Sequence, residues 1–200
     1  MLFIWCVHNI NHKTPWIPFM NIPDMTTCLS LLQQYGTLPN VLEHSLQVHK
    51  VARAIVDHLN GSVTINRDLV CAAALLHDIT KSRALKTGEK HDISGKELLE
   101  SLGYPEIADI VGQHVFLRDT SPTSPLNEAD IVYYADKRVM HNEIVTVDQR
   151  IEDLLKRYGT TQERCNKILE NKDIILIIEK KLTRHLVKPL EEIIASLKHE

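Results

Sequence analysis

Apolar side chains recur at helical spacing along most of the chain that follows residue 25. In the segment 41–59, positions 41, 48, 52, 55 and 59 are all apolar, and the spacing of three, four and seven residues is typical of an amphipathic helix. Similar patterns continue in six later segments: 67–81, 94–103, 105–115, 128–141, 149–159 and the stretch from 162 onward. We therefore predict an all-α fold, a helical bundle with additional C-terminal helices.

Polar residues at the ends of these segments predict where helices begin. Asn66 stands directly before one helical segment and is a candidate N-cap, because its side chain can accept a hydrogen bond from a free backbone N–H group. Asp148 has the same relation to the segment 149–159. Thr160 and Glu163 are three residues apart, the spacing of a capping box, so we predict that a long helix begins there.

The first 24 residues differ from the rest of the chain. They hold both tryptophans, Trp5 and Trp16, together with three prolines, and show no helical period. The apolar opening lacks the basic start and the small-residue cleavage site of a secretory signal. We interpret residues 1–24 as a non-core leader translated upstream of a single domain at 25–200. The alternative is an aromatic arm that packs on the domain or on a partner.

Composition narrows the class of protein. A chain of 200 residues with 44% hydrophobic content is long enough for one domain with a sizeable core. The net charge of −3 gives no electrostatic reason to expect nucleic acid or an anionic membrane as a partner, and no apolar run reaches the length of a membrane span. Four cysteines without a C-x-x-C pair indicate reduced thiols and a cytoplasmic protein. The sequence leaves homo-oligomers open.

Several ionisable residues fall on faces that are otherwise apolar. His44, His114 and Asp136 each share a helical face with apolar neighbours, and the pair His77–Asp78 ends the apolar run "LVCAAALL". One histidine on such a face is most often satisfied by a backbone carbonyl. Five inward ionisable positions on four helices need a common explanation, and a shared metal ion would compensate their charge and polarity together.

These residues resemble the ordered motif of a known family. A histidine, then a His-Asp pair, then an aspartate in "YYADKRV" is similar to the H…HD…D pattern of the HD-domain superfamily of metal-dependent phosphohydrolases, here His44, His77, Asp78 and Asp136. The resemblance covers roughly residues 28–155, and Thr80 stands where HDIG-type relatives have glycine. It implies an all-helical bundle, with those four residues as metal ligands.

The resemblance extends to a branch of the family that holds two metal ions. It implies that His91 and His114 are additional ligands and that Asp78 bridges the two ions. For His91 a solvated loop histidine is the simpler alternative. Ligands of this kind, imidazole and carboxylate without thiolate, suit Fe, Mn, Co, Ni or Zn. The sequence chooses neither among these metals nor between one ion and two.

Three residues are candidates for a direct role in catalysis: Asp78, Lys81 and Arg138. Lys81 lies one helical turn beyond His77, so its ammonium group can reach the same site and meet the charge of a phosphate. Arg138 follows the ligand Asp136 by two residues, and Lys137 and Arg118 are further cations close to predicted ligands.

From the metal site we predict a phosphohydrolase that acts on a nucleotide or another small phosphorylated metabolite through a metal-activated water. The chain has no Walker loop, dinucleotide-binding glycine motif or nucleophile elbow. One alternative is a mixed-valent di-iron oxygenase, because some relatives place the same six ligands around such a centre. Another alternative is a non-catalytic module that senses nucleotides. A small phosphorylated substrate is thus the expected partner.

Overall fold

The computed structural model describes residues 20–197. Helices account for most of this range, and the predicted all-α class with C-terminal helices is confirmed. The helices are α1 (Met25–Gln34), α2 (Pro39–Asp57), α3 (Arg67–Leu76), α4 (Lys81–Thr87), α5 (His91–Ser101), α6 (Pro105–Val111), α7 (Glu128–Lys137), α8 (Val147–Tyr158), α9 (Gln162–Thr183) and α10 (Leu190–Ser196).

The centre of the bundle is α3, which packs against α2, α6 and α7. Its residues 69–76 are all buried except Cys71, as expected for a short helix that is apolar around most of its circumference. Helix α2 contributes Val48, Val51 and Ile55 to the same core. The apolar face predicted for 41–59 therefore is the face that α2 buries. Because α3 is covered on several sides, the His-Asp pair that follows it is held in a rigid setting.

A short β-hairpin after α7 was not expected from the sequence. Val139–Met140 (β1) pairs antiparallel with Glu143–Ile144 (β2), and His141 in the turn has a φ of 56°. This is the left-handed region, which a non-glycine residue seldom adopts. Two-residue strands are too short to show an alternating pattern. The helical spacing in 128–141 therefore predicted a helix through residues that form the first strand of the hairpin.

The predicted helix starts are partly confirmed. The Asn66 side chain accepts from the N–H of Leu69 and caps α3 as expected. The other two starts differ by one or two residues. Thr146, not Asp148, caps α8, and Thr161, not Thr160, caps α9. At α8 the reason is a reciprocal capping box. The backbone N–H of Gln149 donates to the hydroxyl of Thr146, and the backbone N–H of Thr146 donates to the side-chain carbonyl of Gln149.

An ion pair and a backbone bridge are among the contacts that join the C-terminal helices to the core. The ammonium group of Lys181 on α9 lies 2.6 Å from the carboxylate of Asp130 on α7, and both side chains are buried. Beyond α9, Leu186 forms an isolated antiparallel bridge with Leu59 at the end of α2. The extension is therefore packed as part of the same body as the helices that carry the candidate ligands. None of the described helices combines the length and the apolar character needed to cross a bilayer.

Most of the predicted leader, residues 1–19, lies outside the described residues. The last part of it is described: Pro23 is buried, and the Asp24 side chain accepts from the N–H of Thr27 and caps α1. The boundary after residue 24 stays a prediction, and a protein that begins at Met25 would lack both of these residues.

Candidate metal centre

The six predicted metal ligands meet at one end of the bundle. Five segments carry them, and each side chain points to the same place: His44 on α2, His77 and Asp78 after α3, His91 at the start of α5, His114 after α6 and Asp136 on α7. All of these except His77, which is completely buried, line a cavity of about 600 Å³. Residues that are up to 92 positions apart in the chain are thus assembled by the packing of α2, α3 and α7.

One group of potential ligands consists of His44, His77 and Asp78, whose donor atoms all lie within 4.8 Å of one another. Asp136 adjoins this group. Its Oδ1 atom lies 3.0 Å from Nε2 of His44 and 3.8 Å from Nε2 of His77. Nε2 of His77 is also 3.6 Å from Oδ2 of Asp78. Two imidazoles and two carboxylates therefore surround one point, a ligand set that suits a divalent transition metal.

A second group is built on the other oxygen of Asp78. Oδ1 of Asp78 lies 3.2 Å from Nε2 of His91 and 3.5 Å from Nε2 of His114. The two imidazole nitrogens are 3.1 Å apart. Asp78 is thus shared between the two groups, which is the arrangement that the sequence predicted for a bridging carboxylate.

The backbone fixes the orientation of three of the imidazoles. In each, Nδ1 lies within hydrogen-bonding distance of a carbonyl oxygen, so that the Nδ1–H group donates and, in the neutral ring, Nε2 carries the lone pair. The three contacts are His44 to His141 at 2.8 Å, His77 to Ala74 at 2.8 Å and His114 to Val111 at 2.6 Å. Metal-binding histidines in proteins are usually held in this way.

Two polar atoms at the centre have no hydrogen-bond partner among the described residues. They are Nε2 of His77 and Oδ1 of Asp78, and both are buried. A buried lone pair without a donor costs about 1–3 kcal/mol, and these two lie in the two different ligand groups. A cation satisfies both, so the donor set fits a metal ion in each group.

Electrostatics keep the centre ready to bind a cation. Burial lowers the pKa of His77 and of His91 to about 4, so both imidazoles are neutral near pH 7. Burial by itself would raise the pKa of Asp78, but His77, His114 and Lys81 together hold it well below its usual range. Neutral imidazoles and ionised carboxylates are the protonation states that metal binding requires.

Two lysines border the ligands. Nζ of Lys81 lies 3.1 Å from Nε2 of His91 and 3.9 Å from Oδ1 of Asp78, so the lysine reaches the site as its spacing from His77 predicted. The other is Lys137, which is buried and donates to Asp136 at 2.6 Å and to the carbonyl of His114 at 3.0 Å. Lys137 therefore links one ligand of each group, a contact that the sequence predicted only as proximity.

The structure places two other predicted cations away from the ligands. The guanidinium of Arg138 is buried against the side chains of Tyr134 and Glu191 and the carbonyl of Val145, and Arg138 does not line the cavity. Successive helix residues differ by about 100°, so a residue two positions from Asp136 lies on nearly the opposite side. The predicted catalytic role of Arg138 does not fit this placement. Arg118 is exposed and pairs with Asp109.

The ordered ligands on a helical bundle define the class of protein. The sequence model of the HD-domain family matches residues 41–141, which is slightly more than half of the chain. The protein therefore belongs to the HD-domain family. The matched range contains all six candidate ligands. The family that the sequence motif predicted is therefore confirmed.

Three relatives illustrate the range of proteins with similar sequences. A tRNA (cytidine(56)-2'-O)-methyltransferase of Thermoplasma volcanium is 27% identical over 169 residues, which is 74% of this chain and 48% of the relative. A dihydroneopterin 2',3'-cyclic phosphate phosphodiesterase of Methanocaldococcus jannaschii is 31% identical over 62% of this chain and 52% of the relative. An uncharacterised protein of Clostridium beijerinckii is 33% identical over 48% of this chain and 62% of the relative.

The chain spans about half the length of these relatives. Their similarity therefore supports a shared domain, and the activity named for each whole protein belongs to that protein. No solved structure matches the chain.

Proposed function

We propose that the protein is a metal-dependent phosphohydrolase that acts on a nucleotide or another small phosphorylated metabolite. The observation that supports this most is the pair of ligand groups that share Asp78, with an unpartnered buried donor atom in each group. One or two divalent transition metal ions, of Fe, Mn, Co, Ni or Zn, would be held by the six ligands.

A metal ion bound there supplies an activated water and polarises a phosphoryl oxygen. The chain itself supplies the means to position the substrate. Lys81 has a side chain that is 34% exposed, and it lines the cavity beside His91 and Asp78. It can pair with a non-bridging phosphate oxygen and neutralise charge that develops as the phosphorus–oxygen bond breaks.

Buried neighbours preserve the geometry of the ligands while the substrate binds. Lys137 holds Asp136 through a 2.6 Å contact, and the carbonyl of His141 holds the ring of His44. A carboxylate with a fixed cation at one oxygen keeps its other oxygen directed at the site. We assign to Lys137 a positioning role and to Lys81 a role in contact with the substrate.

The named activity of one relative supports the proposal. The protein from Methanocaldococcus jannaschii is named a cyclic phosphate phosphodiesterase, which is a phosphoester hydrolase. A 2',3'-cyclic nucleotide therefore belongs in the first substrate panel, beside phosphomonoesters and nucleoside di- and triphosphates.

The test is hydrolysis by protein that has been stripped of metal and reloaded separately with Mn, Co, Zn, Ni or Fe. We expect hydrolysis to proceed under anaerobic conditions and to release inorganic phosphate or a phosphorylated product. The new oxygen atom of the product should come from ¹⁸O-labelled water. Turnover that consumes O₂ and requires iron would overturn the proposal in favour of an oxygenase. Binding of nucleotides without turnover of any substrate would favour a sensing module.

A further inference from the structure

The cavity at the metal centre has a second half that the ligands do not form. We call it the distal wall, and it is built from the C-terminal extension: Arg150, Leu154, Arg157 and Tyr158 on α8 and Lys167, Ile168 and Asn171 on α9. Every one of these residues lies beyond position 141, where the match to the HD domain ends. The distal wall therefore lies outside the matched HD domain.

The distal wall carries excess positive charge. Arg150 and Arg157 share a single carboxylate, that of Asp153, at 3.5 Å and 2.6 Å respectively. Asp153 itself does not line the cavity. One negative charge thus compensates two guanidinium groups, and Nε of Arg150 is buried without a hydrogen-bond partner in the described part of the chain.

Within residues 20–197, no carboxylate of the distal wall faces the cavity. The three acidic residues that line the cavity are Glu43, Asp78 and Asp136, and all three belong to the segments that carry the ligands. Lys167 adds a further cation to the distal wall, although its ammonium group lies 2.7 Å from Glu163. The charge that remains along the distal wall is suited to an anion.

An aromatic ring lies beside one of these cations, and a second ring lines the same cavity. Among the described residues, only two large aromatic side chains are exposed, Phe116 at 72% and Tyr158 at 53%, and both line this cavity. The guanidinium of Arg157 lies 5.3 Å from the ring centre of Tyr158. Exposed rings next to arginine are the arrangement on which nucleobases stack.

We propose that the distal wall binds a second phosphate of the substrate and stacks on its base. This inference rests on the proposed function, because the reacting phosphate is taken to lie at the ligands. The substrate class is then a nucleotide with one phosphate in addition to the phosphate that reacts. The cavity of about 600 Å³ lies within the range of sites that hold ligands of this size. Two sources share this chemistry, a nucleoside diphosphate and a dinucleotide.

Binding to metal-free protein tests the distal wall without turnover. Calorimetric titrations at one ionic strength would compare AMP, ADP and the dinucleotide pApA. The carboxylates at the ligands repel the more highly charged ADP and pApA at least as strongly as AMP, so tighter binding of either larger probe reports on the distal wall. We expect ADP or pApA to bind at least about tenfold more tightly than AMP, the effect of one charge-assisted contact. A preference for ADP identifies the diphosphate source, and a preference for pApA identifies the dinucleotide.

Variants identify the residues responsible. Arg157→Gln and Arg150→Gln should each remove most of the preference over AMP, while the affinity for AMP itself changes little. Arg53→Gln is the matched control, because Arg53 pairs with Asp57 at the same i, i+4 spacing and does not line this cavity. If Arg150→Gln fails to fold, the more exposed Arg157 still decides the question.

Equal affinity for AMP and both larger probes, or an undiminished preference in Arg157→Gln, would overturn the inference. Failure of the proposed function has a different signature. In that case metal-loaded protein hydrolyses none of the substrates, whereas the ratios measured without metal still show whether the distal wall selects a second phosphate.

Discussion

Nε2 of His44 lies 3.0 Å from Oδ1 of Asp136, although the two residues are 92 positions apart. The pair joins α2 to α7 at the candidate metal centre. Its imidazole is held from the other side by the carbonyl of His141, a residue of the hairpin that directly follows α7. The ring of His44 is thus fixed at both nitrogens by one short stretch of chain.

Two histidines on α2 should respond differently to the same substitution. We expect His44→Gln to lower the metal content and to abolish hydrolysis, because it removes an imidazole whose Nε2 faces the ligands. His49→Gln is the matched control, since His49 lines a different cavity and should retain both properties. Metal analysis of the purified variants and one hydrolysis assay measure this. Loss of metal in His49→Gln comparable to that in His44→Gln would contradict the assignment of ligands.

Lys81 should affect the rate of reaction without affecting metal binding. We expect Lys81→Met to lower kcat by roughly ten- to a thousandfold, because the ammonium group meets charge that develops in the transition state. The metal content should stay unchanged. Lys86→Met on the same helix is the control and should keep its full kcat, since Lys86 does not line the cavity. An unchanged kcat in Lys81→Met would remove this residue from the catalytic group.

Metal-free protein should lose stability in mild acid. The pKa of His77 and of His91 is about 4 in the folded protein and 6.5 in the unfolded chain, so between these values the unfolded chain binds more protons. The free energy of unfolding therefore falls as the pH drops from 6.5 towards 4, by roughly 3 kcal/mol for His77. His44 acts in the opposite sense. Burial lowers the pKa of His44, but the hydrogen bond and charge of Asp136 more than offset this, so the pKa is raised. The stability that His44 contributes is therefore present below pH 6.5 and is lost as the pH rises above that value.

Urea unfolding at several pH values, with metal removed by a chelator, measures this effect. His77→Gln is the comparison, and its stability should depend less steeply on pH below 6.5. A free energy of unfolding that stays constant between pH 7 and pH 5 would contradict the expectation that both imidazoles are neutral in the folded protein.

Arg138 should matter for stability and not for the reaction. Its buried guanidinium donates to Tyr134, Glu191 and the carbonyl of Val145, so Arg138→Met leaves two buried acceptors without a donor. We expect the free energy of unfolding to fall by about 2 kcal/mol, with kcat unchanged in the folded fraction. Arg118→Met, at an exposed pair, should change neither quantity. A fall in kcat for Arg138→Met with normal stability would restore the catalytic role that the sequence predicted.

The start of the domain can be located with two shortened proteins. A protein that begins at Met20 keeps the buried Pro23 and the Asp24 cap of α1, whereas one that begins at Met25 loses both. We expect the second to unfold more readily by about 1 kcal/mol or more, the usual contribution of an N-cap. Identical melting temperatures for the two proteins would support the boundary after residue 24.

Helical phase predicted which ionisable side chains point inward, because a helix converts spacing into direction. His44 and Asp136 share faces with core residues of α2 and α7, and the structure points both inward. The same rule separates Arg138 from the ligands, although it is close to Asp136 in sequence. Its position two residues further on turns it towards Glu191.

Other parts of the site depend on contacts that no spacing encodes. The carbonyl of His141 and the 2.6 Å pair of Lys137 with Asp136 arise from a hairpin and from a side-chain rotamer. The distal wall depends on how α8 and α9 pack over the cavity. Amphipathic pattern identified those helices but not the elements against which they pack.

Residues from two successive segments of the chain line the cavity. Every candidate ligand precedes residue 142, and the distal wall begins at residue 150. If the distal wall contacts the substrate as proposed, mutations in the later stretch alter which compound is accepted without changing a candidate metal ligand. A descendant gene could thus acquire a new substrate by divergence or exchange of its 3' portion, provided that the buried Lys181–Asp130 pair still anchors the replacement to α7.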